Sequence, residues 1–144
     1  MTFENPSREQ IKAILEQTNT IAVVGLSDDP GRTSHMVSQA MQAKGYRIIP
    51  VNPNASEILG EKCYPSLKDI PEPVDLVNVF RRSEHTPPIA EEAAAIGARV
   101  LWLQLGIHSD EAVEIAKRGG LQVVTDRCIK VEDSILLPQG KAQS

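Results

Sequence analysis

Five short apolar runs, each followed by residues with helical spacing, constrain this chain more than any other feature. They cover residues 20–26, 46–51, 74–80, 99–105 and 121–125. The first reads Thr20-Ile21-Ala22-Val23-Val24-Gly25-Leu26 and is continuously apolar rather than alternating. Continuous apolarity predicts a strand covered on both faces, as in a parallel sheet. Strands alternating with helices that stop at Gly45, Gly97 and Gly119-Gly120 predict a doubly wound, Rossmann-like α/β fold. The expected sheet is five-stranded and parallel, with helices on both faces.

The helical segments carry their own signals. Ser7-Arg8-Glu9-Gln10 has the form of a capping box, followed by Ile11, Ile14 and Leu15 on one face, which predicts a helix over 7–17. Met36, Val37, Ala40 and Met41 are in register for a helix over 33–44. Residues 52–64 read as a long loop, and 66–70 as one helical turn. Further helices are expected over 87–96, from a Ser109 cap to Gly119, and over 131–136. Counting strands along the chain, the expected order is 3-2-1-4-5. That order places a crevice between the first and fourth strands, at their carboxyl ends, where such sheets hold ligands.

A chain of 144 residues suits one domain, with its core over about 7–137 and a loose tail over 138–144. Its formal net charge of -4 argues against a nucleic-acid partner, which needs a basic face. The start of the chain lacks a basic segment followed by an apolar one, so no signal peptide is expected. No apolar run approaches the ~20 residues that span a bilayer, so no membrane partner is expected either. Two cysteines, Cys63 and Cys128, make no disulfide framework, and the expectation is a reduced, cytoplasmic protein. The three histidines are scattered and show no metal-ligand spacing, so no metal site is expected.

The first crossover turn holds the chemistry. Gly25 lets the chain turn off the first strand, and the next helix points free amides at the crevice, where a phosphate can sit. Ser27, Thr33 and Ser34 add hydroxyls there, and Arg32 adds charge; a tight connection with no ligand is the alternative. The turn is not a dinucleotide fingerprint, because Ser27 and Pro30 stand where G-x-G-x-x-G needs glycines. An acid at the end of the second strand is also missing, since that strand closes on Pro50-Val51-Asn52-Pro53. These departures count against an NAD(P)-binding oxidoreductase or redox sensor, which remains the alternative enzyme reading.

Val51 offers an apolar wall for a base and Asn52 a polar contact, unless the two prolines simply stiffen the loop. Arg81 and Arg82 follow the third strand and are placed to pair with phosphates, or else are a solvated pair beside Glu84. Phe80 is a stacking surface for a base or a core residue. Gln104 and Gly106 lie beside Gly25 in the expected strand order. Cys128 follows the fifth strand at the same edge. It is either an unreactive, partly buried thiol or a reactive one with chemistry on an acyl thioester or a disulfide.

Taken in order, these residues resemble a known family. The matching features are Ala22-Val23-Val24-Gly25-Leu26-Ser27, Pro50-Val51-Asn52-Pro53, Gly60 with Tyr64-Pro65-Ser66-Leu67, Val74-Asp75, Trp102-Leu103-Gln104-Leu105-Gly106 and Asp126-Arg127-Cys128. The chain resembles the small stand-alone CoA-binding proteins. These are relatives of the N-terminal domain of the succinyl-CoA synthetase α subunit and of ADP-forming acyl-CoA synthetases. The resemblance implies that coenzyme A or an acyl-CoA is held across the strand ends. By it, Gly25, Leu26, Ser27 and Asp28, with Arg32 and Ser34, would face the phosphates. Val51, Asn52 and Pro53 would line the adenosine end, opposite Phe80 and Arg81. Gln104, Leu105 and Gly106 would border the pantetheine path. Those synthetases use a phosphorylated histidine and further domains that have no counterpart in these residues, so a non-catalytic or accessory role is expected. Asp28 and Asp29 depart from the family's glycine-rich loop and set carboxylates beside the expected diphosphate.

Overall fold

A computed structural model describes residues 3–140. Ser7 caps the first helix, α1 (Arg8–Gln17), with the capping box complete: its hydroxyl accepts from Gln10 N, and Gln10 reaches back to the Ser7 amide. The helix turns Ile11, Ile14 and Leu15 inward. There follow β1 (Thr20–Val24), α2 (Thr33–Ala43) and β2 (Arg47–Val51). A small hairpin, β3 (Glu57–Ile58) and β4 (Glu61–Lys62), comes next. Beyond it lie β5 (Leu76–Val79), α3 (Thr86–Ala95), β6 (Val100–Leu103), α4 (Asp110–Arg118), β7 (Gln122–Val124) and α5 (Ile129–Leu136). Of the expected tail, residues 141–144 lie outside the described residues. No described helix is long and apolar enough to cross a membrane.

The main sheet is parallel and five-stranded, as expected, but its order is β2-β1-β5-β6-β7. Counted as the five main strands this is 2-1-3-4-5, so the expected order 3-2-1-4-5 is corrected. The outer edge of β2 is already taken. Val51 bridges Tyr64, Asn52 N–H donates to Tyr64 O at 3.0 Å, and Tyr64 N–H donates to Pro50 O at 3.0 Å. The chain therefore crosses back, and β5 pairs with the free side of β1, Ile21 to Val24 against Leu76 to Val79.

Alternate residues of each strand feed two cores. Ala22, Val24, Val77, Val79, Leu101 and Leu103 pack under α3 and α4. Ile21, Val23, Ile48, Leu76 and Trp102 pack under α1, α2 and α5. Strands buried on both faces explain why their sequences are continuous apolar runs rather than alternating ones. Polar anchors fix the outer pieces. The Asp133 carboxylate, fully buried, accepts from Tyr46 Oη at 2.6 Å and from Lys44 Nζ at 2.7 Å, tying α5 to the α2–β2 connection. The Asn5 side chain bonds both backbone groups of Thr125, at 2.7 and 2.8 Å, and ties the start of the chain to the end of β7.

Candidate functional site

The site forms where β1 and β5 part company at their carboxyl ends. From there α2 runs over one face of the sheet and α3 over the other, which is the topological switch point of an open α/β sheet. The expected crevice between the first and fourth strands is thereby corrected, because β5 stands between β1 and β6. For the same reason Gln104 and Gly106 do not lie beside Gly25.

Gly25 makes the floor. Its φ of +89° belongs to the region glycine tolerates, and a Cβ there would stand 2.4 Å from the Phe80 carbonyl oxygen. Its N–H donates to Val51 O at 3.1 Å, while Phe80 N–H donates to Val24 O at 2.9 Å. Three strand ends therefore converge on one residue with no side chain.

Beyond Gly25, Ser27 is clamped on every side. Its N–H donates to Ser34 Oγ at 3.0 Å, its carbonyl accepts from His35 Nδ1 at 2.9 Å, and its Oγ accepts from Asp29 N at 3.0 Å. A carbonyl can only accept, so His35 carries a proton on Nδ1. In these bonds both serine hydroxyls act as acceptors, so each keeps its own proton as a donor. Asp29 is used internally, since its Oδ1 accepts from Gly31 N at 2.9 Å. Asp28 is exposed, and its charge adds to burial in raising the pKa of the Cys63 thiol. No side chain caps α2, whose N-cap is Arg32. An uncapped helix start presents amides and the positive end of the helix dipole.

Gly25, Ser27, Arg32, Thr33, Ser34, Asn52, Asn54, Phe80 and Arg81 line a cleft of about 570 Å³, a size that suits a small cofactor. Arg32 and Arg81 are exposed, and among the described residues no carboxylate lies within ion-pair distance of either guanidinium. Asn52 stiffens the rim. Its Nδ2 donates to Leu26 O at 2.9 Å and its Oδ1 accepts from Asn54 N at 2.8 Å. Residue type alone does not single out Asn54, which lines the cleft. The signal available was the spacing Asn52-Pro53-Asn54, since an asparagine side chain bonds the backbone two residues on in an Asx turn.

Other candidates fall elsewhere. Leu26 and Val51 are buried in the two cores, and Asp28, Pro53 and Arg82 are exposed outside the cleft lining. Gln104 is buried, and its Oε1 accepts from Ile129 N at 2.9 Å, fastening the start of α5. Leu105 and Gly106 are exposed further along the same edge. Cys128 is half-buried and is the N-cap residue of α5.

The family model described as a CoA binding domain matches residues 19–134. The chain belongs to this CoA-binding domain family. It is 54% identical over 133 residues to the uncharacterized protein YneT of Bacillus subtilis, covering 92% of this chain and 98% of that protein. It is 31% identical over 116 residues to an ADP-forming acetate–CoA ligase (II) of Archaeoglobus fulgidus. That match covers 72% of this chain but only 17% of the ligase. Among solved structures, a hypothetical protein from Pyrococcus horikoshii superposes with a TM-score of 0.89 at 37% identity, covering 95% of this chain and 99% of that one. The resemblance read from the sequence therefore holds, both to small stand-alone proteins and to the CoA-binding portion of ADP-forming synthetases.

Proposed function

We propose that this cleft holds the nucleotide half of coenzyme A, as the free thiol or an acyl thioester. On this reading the chain is a cytoplasmic, non-catalytic binding module spanning about residues 7–137. The observation that carries the proposal is the pair of arginines, Arg32 and Arg81, with no carboxylate partner among the described residues, beside the uncapped start of α2. Guanidinium forks, backbone amides and hydroxyl protons on one cleft form a donor set for phosphate oxygens. Family membership supports coenzyme A over other phosphorylated ligands. A nicotinamide dinucleotide lacks its usual contacts, since β2 ends on Val51-Asn52 without an acid to hold ribose hydroxyls.

Titration calorimetry tests this. Arg32→Ala and Arg81→Ala should each weaken coenzyme A by roughly 10- to 100-fold, the worth of a charge-assisted hydrogen bond. Pantetheine, which has no nucleotide phosphates, should bind the variants as it binds the parent. Equal losses for both ligands would remove the phosphate role from these arginines.

A further inference from the structure

Of the three histidines, His35 alone is buried, at 8% exposure, whereas His85 and His108 are exposed. It lies in the first turn of α2, next in sequence to Ser34. Its Nδ1–H is spent on Ser27 O, 2.9 Å away. Ser27 and Ser34 both line the cleft, and Ser27 N–H donates to Ser34 Oγ. Two adjacent residues of the helix therefore grip one residue of the turn, Ser34 holding its amide and His35 its carbonyl. That grip fixes where the Ser27 hydroxyl stands relative to the free amides of α2.

The other ring nitrogen is unspent. His35 Nε2 has no hydrogen-bond partner among the described residues. It is not one of the enclosed unpartnered side-chain atoms either, which are Ser38 Oγ, Asn78 Oδ1 and Glu132 Oε1. Nε2 thus keeps contact with solvent and is open to a proton, while Nδ1 donates to Ser27 in either charge state.

The charges around the ring set what that proton depends on. A cation in the first turn of a helix is opposed by the helix dipole, and Arg32 and Arg81 add to the opposition. Asp28 and Asp29 in the turn act the other way, as do Glu57 and Glu61 of the hairpin that Gln42 Nε2 ties to α2 through Leu59 O at 3.1 Å. Lys62 opposes those two, and the Cys63 thiol has its pKa raised by burial, Asp28 and Glu57. From α5, Lys130 is exposed and Asp133 is paired with Lys44 at 2.7 Å. All of these are present with or without a ligand. An anion seated at the start of α2 is the one charge that changes, and it favours the imidazolium.

We propose that His35 is a positioning residue that links occupancy of the cleft to a proton: its Nδ1–H holds Ser27 to α2, and its Nε2 takes up a proton when the anionic half of the ligand is seated. The proposal rests on the coenzyme A reading above. Because binding favours the protonated ring, affinity rises as the pH falls through the range where histidine changes charge, about pH 5 to 8.

Calorimetric titration with coenzyme A at about pH 8 and about pH 5.5, towards the two ends of that range, compares the parent protein with His35→Ala and His35→Asn. Asparagine places an amide N–H near the position of Nδ1 and does not titrate. At the higher pH, His35→Ala should bind roughly tenfold more weakly than the parent, and His35→Asn should stay within about threefold of it. The ligand's phosphates titrate too, so the readout is the ratio of parent to His35→Asn affinity, in which the ligand's own protons cancel. That ratio should rise by about three- to tenfold at the lower pH. Imidazole NMR of the parent needs no variant to fold, and should show the His35 ring titrating at a higher pH with coenzyme A than without it. The same pH dependence in parent and His35→Asn, or an NMR midpoint that the ligand leaves unmoved, would overturn the proton link. His35→Ala binding as tightly as the parent, or His35→Asn no tighter than His35→Ala, would overturn the positioning role. A parent that binds no coenzyme A at either pH would sink the coenzyme A reading itself, whereas binding without these differences sinks this inference alone.

Discussion

Replacing Gly25 with alanine should cost far more than the gain of one methyl group suggests. The new Cβ would stand 2.4 Å from Phe80 O, 3.2 Å from the Phe80 carbonyl carbon and 3.3 Å from Arg81 Nε. Two costs add. Holding alanine at φ +89° strains the backbone by about 1–2 kcal/mol. The overlap adds about 1–3 kcal/mol, because the Phe80 carbonyl is backbone and cannot retreat without loosening the β1–β5 junction. The sum is about 2–5 kcal/mol, or a fall in Tm of roughly 5–20 °C for a chain of this size. Gly97→Ala is the matched control, since Gly97 has φ +75° and no neighbouring heavy atom within 4 Å of the new Cβ. It should show the backbone strain alone. Urea unfolding of both variants, with unchanged m-values, isolates the steric part as their difference. A Gly25→Ala variant no less stable than Gly97→Ala would show that β1 and β5 do not approach as closely as described. It would also remove the physical basis of the crevice floor.

The Tyr46 hydroxyl titrates well above its ordinary value of 10, pushed up by burial first, then by its hydrogen bond to Asp133 and that carboxylate's charge. A raised folded pKa means that the folded state keeps a proton the unfolded state releases. This contribution to stability is therefore full below about pH 10 and declines as the pH rises beyond it. Tyr46→Phe should flatten the alkaline decline in urea midpoints and cost about 1–3 kcal/mol at neutral pH, where Asp133 is left one bond short; an unchanged alkaline slope would refute the assignment. Iodoacetamide should label Cys128 well before Cys63, because Cys63 is 7% exposed and its thiol pKa is raised by burial, Asp28 and Glu57. Peptide mass spectrometry that finds Cys63 modified first would contradict that burial.

Much of this architecture is written locally. The capping box at Ser7, the β-branched run before Gly25 and the acidic first turn of α4 each specify an element through contacts within a few residues. The strand order is a different kind of information. Whether β5 adds outside β2 or returns beside β1 depends on Tyr64 occupying the edge of β2, a pairing that no periodicity announces. The β3–β4 hairpin falls within residues 52–64, whose sequence reads as loop because the hairpin turn uses Leu59 at φ +56° before Gly60 at φ +76°. Such turns are usually signalled by Asn-Gly or Asp-Gly, and leucine in that place gives no cue. At the site, residue type singles out Gly25, Ser27, Arg32, Ser34 and Arg81, which the fold brings to one cleft. It could not show which polar groups were already engaged: the Asn52 amide serves the rim, and the Gln104 carbonyl serves α5. Partner choice among polar side chains is settled by three-dimensional proximity, which a single sequence does not record.

The convergence of three distant chain segments on Gly25 has a consequence for how this protein would report on itself. Residues near 25, 52 and 81 meet only when β2, β1 and β5 have all docked, so a partly assembled chain owns no cleft. A molecule that occupies it must select finished copies over unfinished ones, and by mass action would shield them from proteases and heat in proportion to its concentration. Retained ligand in a fresh preparation would then serve as a census of correctly matured molecules.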